Sequence, residues 1–379
     1  MNNTETISDR VFDVAVVGAG IVGLAIAYEA ARKGQRVAVF EQNPRASGAS
    51  IRNFGLVWPI GQPAGPLLDR AMRSRETWLA LARASGIWLK QNGSLHLAYH
   101  DDELAVLDEF QRNAAGAGYR TALLAPGEVP AHSPAVKTEG LKGALWSETE
   151  CTVTSRHAIG QIAAYLEKEM GVAFYFGTSI THVESGCLSD FYDIWKADRI
   201  FICSGAEFGT LYPRIFRESG ITKCKLQMLR TAPQPPGWNL GASLCAGLTL
   251  LHYSSFAHLE GLATVRERYR RENPDFERFG IHVLVSQIST GEIILGDSHE
   301  YGLDLSPFDS GSINELILGY LDTFARFPEP AIVENWHGVY PKLAGRTDFV
   351  LEAEPGITIV NGLSGAGMTM SFGLAQELV

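Results

Sequence analysis

Three observations predict an α/β protein: a Rossmann-like dinucleotide-binding domain, discontinuous in sequence, joined to a second α+β domain built on an antiparallel sheet. The chain opens with an apolar strand run, a glycine turn and a small-residue helix start. Two more apolar runs, before Gly205 and Gly362, end in glycine turns of their own. The middle of the chain carries segments that alternate apolar and polar residues, the period of a half-buried strand.

The opening reads Asp13-Val-Ala-Val-Val-Gly-Ala-Gly-Ile-Val-Gly-Leu-Ala-Ile-Ala27. In Gly18-x-Gly20-x-x-Gly23 the first glycine permits a tight turn and the second lets the backbone approach a pyrophosphate. The third lets the helix pack close to the strand while its N-terminus faces the phosphates. Ile21 and Val22 start that helix and count with the glycines as cofactor-binding candidates. A second strand, Arg36 to Phe40, ends in Glu41, about 20 residues beyond the glycines, where a carboxylate accepts ribose hydroxyls. A glycine-rich turn without a ligand would explain the glycines and leave the acid, followed by Gln42, unexplained.

The loop Ser47-Gly-Ala-Ser-Ile-Arg-Asn-Phe-Gly55 and the following Trp58-Pro-Ile-Gly-Gln-Pro63 suit neither helix nor strand. Leu67 to Ala84 has helical periodicity, Gly93 to Tyr99 alternates as a strand, and Asp101 to Ala115 is an amphipathic helix. Arg156 to Met170 reads as a helix stopped by Gly171, with Val172 to Phe176 the strand after it. Ala197 to Ala206 is a core strand running into a glycine turn. Gly280 to Ser286 and Glu292 to Gly296 are strands of the second domain, and Ile357 to Val360 returns to the first.

Composition narrows the function. With 379 residues the chain accommodates two buried cores, and 46% hydrophobic residues describe an ordinary soluble globular protein. A formal charge of −10 argues against a nucleic-acid partner, and any cation in a site must be local. The first ten residues are polar and unlike a secretory signal, and no apolar run is of membrane-spanning length, so a cytoplasmic location is expected. Five cysteines, odd in number and without CxxC spacing, read as reduced thiols; no metal site is expected.

Three glycine turns exceed what a nicotinamide domain needs. A flavin calls for backbone N–H groups aimed at the edge of the ring where negative charge collects on reduction, and a glycine-rich helix start supplies them. The motif set comprises Gly18-x-Gly20-x-x-Gly23 with Glu41, the Gly48-Ala-Ser50 loop, Cys203-Ser-Gly-Ala206, Trp336-His-Gly-Val-Tyr-Pro341 and Gly362-x-x-Gly365-x-Gly367. In that order, spanning the whole chain, it resembles the FAD-dependent D-amino-acid oxidase superfamily, which includes glycine and sarcosine oxidases. Ser50 to Gly55 with Trp58-Pro59, Lys225 to Thr231, His252-Tyr-x-x-Phe256 and Gly296 to Gly302 further resemble a bacterial subgroup linked to phosphonate breakdown.

The resemblance implies an FAD-binding domain assembled from 1–85, 146–222 and 332–379, and a substrate domain from 86–145 and 223–331. The cofactor set it implies adds Ala49, Ser50, Arg52, Asn53, Gly205, Gly338, Gly362, Ser364, Gly365, Ala366, Gly367, Met368 and Thr369. It also exposes departures. Tyr340 stands where an arginine grips the substrate carboxylate in glycine-oxidase-like members, and Thr369 where sarcosine-oxidase-like members place a lysine. Gly338 falls near the cysteine that tethers flavin in sarcosine oxidases, so the FAD is expected to be noncovalent. Ile294 aligns with the lysine that assists oxygen reduction there. The substrate-side candidates are Arg52, His252, Tyr253, His299, Tyr340, Lys342 and Arg346, with Asp297 and Trp58 beside them.

The expected activity is oxidation of a small amine's C–N bond, of amino-acid or aminophosphonate type, to an imine by hydride transfer to flavin, with O2 as acceptor. Three readings stand against it: an FAD-dependent dehydrogenase with another acceptor, a nicotinamide-dependent dehydrogenase, and an inactive flavin-binding module.

Overall fold

The computed structural model describes residues 10–379. The polar leader weighed against a secretory signal therefore lies almost wholly outside the described residues. The strand Val11–Val17 is apolar except at Asp13, and Val14, Ala15 and Val16 are fully buried. It pairs in parallel with Val37–Glu41 on one side and Ile194–Ile202 on the other. A strand with parallel neighbours on both sides and helices over its faces must be continuously apolar, which is why this run is. Outward from this centre, Ala173–Phe176 joins Val37–Glu41, and Ile357–Asn361 joins Ile194–Ile202, both in parallel. Antiparallel Phe349–Glu354 and the hairpin His182–Glu184 and Cys187–Ser189 complete eight strands.

The helices Ile21–Arg32, Ser155–Met170 and Gly367–Leu378 share one apolar core over this sheet. Ser155–Met170 stops where the sequence predicts, at Gly171 in the left-handed conformation. The loop 47–55 is irregular except for a single 3-10 turn, Ala49–Ile51.

The second sheet has nine strands centred on Thr222–Thr231, which pairs antiparallel with Ile293–Gly296, Glu300–Gly302 and Ile332–Lys342. One pair departs from the expected antiparallel pattern: Ser94–Ala98 runs parallel to Ser243–Ala246. Parallel neighbours need a long crossover, and these strands come from stretches far apart in the chain. The expected strand from Gly280 is shorter, Leu284–Gln287. Ile332–Lys342, at the start of the last expected cofactor-domain segment, pairs with Thr222–Thr231 along its length.

Alternation along the central strand decides its two faces. The Lys225 ammonium, on a residue only 1% exposed, donates to the carbonyls of Ser306 and Phe308 and pairs with Asp309 at 3.0 Å. Gln227 bonds Ser310 and Asn314 at the start of helix Gly311–Phe324. Leu226 and Met228 therefore face the other way, into a cavity shared with the parallel sheet. A small third sheet, Leu56–Val57, Cys151–Val153 and Leu89–Gln91, sends Leu56 into the core beneath the second sheet and Val57 into that of the first.

Candidate active site

The cavity has a volume of about 750 Å³ and opens at the C-terminal ends of the parallel strands. Val17, Glu41, Cys203 and Asn361 reach it from four of them, which is where ligands bind in open α/β sheets. The three glycine turns meet here, with Gly18, Gly205 and Gly362 at φ of 107°, 60° and 70°. At Gly18 close approach adds to backbone shape, since a Cβ there would lie 2.3 Å from the Cys203 carbonyl oxygen. Gly23 does not line the cavity; a Cβ on it would lie 1.9 Å from the Gly18 oxygen, so it serves helix-on-strand contact.

Glu41, 8% exposed, accepts the Ala19 N–H at 3.1 Å and the Asn43 backbone and side-chain N–H groups at 3.0 and 2.9 Å. It thus braces the first glycine turn as well as presenting a carboxylate to the cavity with Gln42. Ser50 accepts the Ile21 N–H at the helix start (2.9 Å) and stands against Gly20, where a Cβ would meet its hydroxyl at 3.1 Å. Asn53 spends its amide on its own loop, donating to the Ala49 and Ser50 carbonyls and accepting the Gly55 N–H. Ala49 and Val22 also line the cavity.

At the far turn, the Asn361 amide donates to the Gly205 carbonyl (3.0 Å) and its oxygen accepts the Gly362 N–H (2.7 Å), locking two turns together. Ser364 holds a left-handed conformation, φ 55°, unusual for a residue with a Cβ. Gly365, Ala366, Gly367 and Met368 complete this wall. The Thr369 hydroxyl accepts the Trp58 N–H at 2.9 Å, so this residue ties the last helix to the 58–61 turn.

The opposite wall comes from the nine-stranded sheet: Leu226, Met228, Leu284, Gly338, Tyr340 and Lys342. Arg52 crosses to it, its guanidinium 3.4 Å from the His337 carbonyl and its own carbonyl accepting the Trp336 indole N–H. Tyr340 is 7% exposed, burial pushes its phenol well above the usual range, and a Cβ on Gly365 would stand 3.7 Å from its hydroxyl. Lys342 is half-buried and Arg346 is exposed at the rim.

His252, Tyr253 and His299 converge with a residue that carried no signal in the sequence, His282. The His252 and His282 rings stack at 3.8 Å, and His299 lies 4.7 and 5.1 Å from them. Burial lowers the pKa of His252 and His299, with the neighbouring imidazoles and Lys342 acting in the same direction; Asp297 opposes it at His299. Ile294 is 4% exposed in the core and does not line the cavity.

The strand-end position, the glycines that cannot carry a Cβ, the carboxylate at Glu41 and the paired turns at 205 and 362 fit a dinucleotide. Residues 13–379 match the family described as FAD dependent oxidoreductase (DAO). Glycine oxidase from Geobacillus kaustophilus (strain HTA426) is 28% identical over 216 residues, 54% of this chain and 57% of that protein. The match thus spans little more than half of that relative. The crystal structure of glycine oxidase from Geobacillus kaustophilus superposes with a TM-score of 0.74 at 21% identity, covering 97% of this chain and 94% of the other. L-α-glycerophosphate oxidase from Mycoplasma pneumoniae, with FAD bound, gives 0.73 at 16% identity over 97% and 93%. These findings overturn the nicotinamide alternative and leave no need for an inactive module. No helix among the described residues is long and apolar enough to cross a membrane. A site at the ends of the parallel strands and a match running from residue 13 to residue 379 place the chain in one group: it belongs to the DAO family of FAD-dependent oxidoreductases.

Proposed function

We propose that the protein oxidises the C–N bond of a small amine bearing an anionic group, of amino-acid or aminophosphonate type, to the imine, which water then hydrolyses to a carbonyl compound. The FAD, held noncovalently among the glycine turns, supplies a hydride acceptor. The chain's residues bind and orient. Backbone N–H groups around Gly362 and Gly365 give the ring's anionic edge a positive environment. Leu226, Met228 and Leu284 exclude water from the reacting carbon, and Gly338 leaves room beside Arg52.

The carrying observation is the opposite wall, where the neutral Tyr340 phenol stands in place of a carboxylate-gripping arginine while Arg52, Lys342 and Arg346 border the cavity. A planar guanidinium fork suits a carboxylate; a phosphonate, tetrahedral and more highly charged, recruits several donors. The glycine-oxidase resemblance and the glycerophosphate oxidase among the structural relatives support a cavity for a small, charged substrate.

The test is a panel of amines, amino acids and aminophosphonates added anaerobically to the holoenzyme, with flavin bleaching recorded and peroxide measured on admitting O2. A small aminophosphonate, N-methylated or not, is expected to bleach the flavin faster than glycine, sarcosine or D-alanine. Equal or faster reduction by the carboxylate analogue defeats the aminophosphonate reading, and bleaching without peroxide moves the enzyme to the dehydrogenases.

A further inference from the structure

His252, His282 and His299 come from three separate stretches of chain and meet on the substrate wall. His299 adjoins the Glu300–Lys225 pair and the His282 and Asp297 backbones bond each other, so these rings lie across the central strand from Ile332–Lys342. Arg52 sits on that far strand, against Gly338, four residues from Lys342, a separation of roughly 13 Å at the usual strand rise. One compact anion therefore has two places to choose between, and the imidazole array, with His282 and His299 buried and His252 open to the cavity, is the more organised of them.

We infer that this imidazole array, with Lys342 beside it, is the seat of the substrate's anionic group, and that it suits a tetrahedral oxyanion such as a phosphonate rather than a planar carboxylate. The inference deepens the amine-oxidation reading and rests on it for the word substrate. Its geometry is specific. His299 Nδ1 donates to the Gly280 carbonyl at 2.9 Å, which turns Nε2 outward as the atom that gains or loses a proton. His282 Nε2 lies 3.1 Å from Asp297 Oδ1, close enough to pair but off the line of a hydrogen bond, and its buried Nδ1 has no partner. Three stacked imidazoles beside a lysine repel one another when protonated. An anion relieves that repulsion, so each ring it recruits gains a proton and becomes a charged donor.

The other groups facing the array set the sign. Tyr253, Tyr301 and Tyr340 are neutral phenols, and among the described residues Asp297 is the carboxylate against the rings on the cavity side. Behind His252 and His282 a smaller cavity of about 190 Å³ is lined by Arg266, Arg270 and Glu277, the last two paired with each other. The balance favours an anion over a cation. The ring nitrogens lie within 4.8 Å of one another, yet a shared metal ion is disfavoured by the stacking. A metal sits in the plane of each imidazole that binds it, and two rings face to face at 3.8 Å with planes 27° apart do not share such a point.

The test uses the FAD-loaded enzyme with methylphosphonate and acetate as probes, titrated by calorimetry in two buffers of different ionisation heat. Methylphosphonate is expected to bind with uptake of about one proton, by linkage, and to bind more tightly than acetate. His252→Gln, at a position open to the cavity, and Lys342→Met are each expected to weaken methylphosphonate about tenfold or more, as loss of a charge-assisted contact does. His252→Gln should also change the proton uptake measurably, with FAD content unchanged. Unaltered affinity and proton uptake in both variants, or equal binding of acetate, overturns the assignment. So does stoichiometric Co2+ uptake that His252→Gln removes. If methylphosphonate binds as described but no amine bleaches the flavin, the proposed function fails and this site stands. If amines bleach it and methylphosphonate does not bind, the reverse holds.

Discussion

The two walls of the cavity are built by different means. The cofactor wall is mostly backbone: glycines at strand ends, helix starts and a serine held at positive φ, all within short stretches of sequence. The substrate wall is mostly side chain, contributed by strands and loops between 226 and 342 that lie far apart in the chain. A backbone wall tolerates almost no added atom, whereas a side-chain wall can exchange one polar group for another and keep its fold. Tyr340 in place of an arginine is such an exchange.

The contrast is broken or sharpened by substitution on each side. The largest effect is expected at Gly23→Val, where even a Cβ would lie 1.9 Å from the Gly18 oxygen. The helix and strand must separate, and soluble expression should collapse; a folded, yellow variant would show that the turn rearranges freely. Gly20→Val is expected to fold, because the obstructing atom is the movable Ser50 hydroxyl at 3.1 Å, but to purify without FAD. Stoichiometric flavin in that variant would remove this loop from the cofactor site. Acid precipitation of the wild type should leave all the flavin in the supernatant, and flavin retained in the pellet would contradict noncovalent binding.

On the substrate wall, Arg52→Ala should keep its FAD and raise KM less than Lys342→Met does, because the inferred seat of the anion lies with Lys342 and the imidazoles. A larger rise in KM at Arg52, by about 1.5–3 kcal/mol as for a lost charge-assisted contact, would move the anion to the guanidinium. The smallest effect is expected at His96, buried between Trp58 and Phe256 with neither ring nitrogen partnered. Burial pushes its pKa down to about 3 from an ordinary 6.5. The unfolded chain therefore binds more protons between those values, so stability falls as pH drops from 6.5 toward 3. His96→Met should match or exceed wild-type Tm at pH 7 and lose less of it at pH 5. A steeper acid loss in the variant would contradict this account.

Much of the molecule was legible before any coordinates. Val11–Val17, Ser155–Met170 with its Gly171 stop, and Ile357–Asn361 follow from periodicity and glycine placement, since local sequence carries both. Other elements carried no clear local mark. Ile332–Lys342 lies in the second sheet because of its register with Thr222–Thr231, and register is a property of two strands. Nothing beside Lys225 in the chain marks it as buried; three groups from 306–309 surround it.

What the chain determined by itself was the cofactor wall, because a phosphate-binding turn is a requirement on consecutive residues: which of them lack a Cβ and where the next carboxylate falls. Tertiary structure decided the substrate wall. His282 has no signature in its own neighbourhood, and it matters only because His252, Asp297 and His299 are folded against it. Charge and proton affinity there depend on distances between side chains that the chain order does not contain, and only packing supplies them.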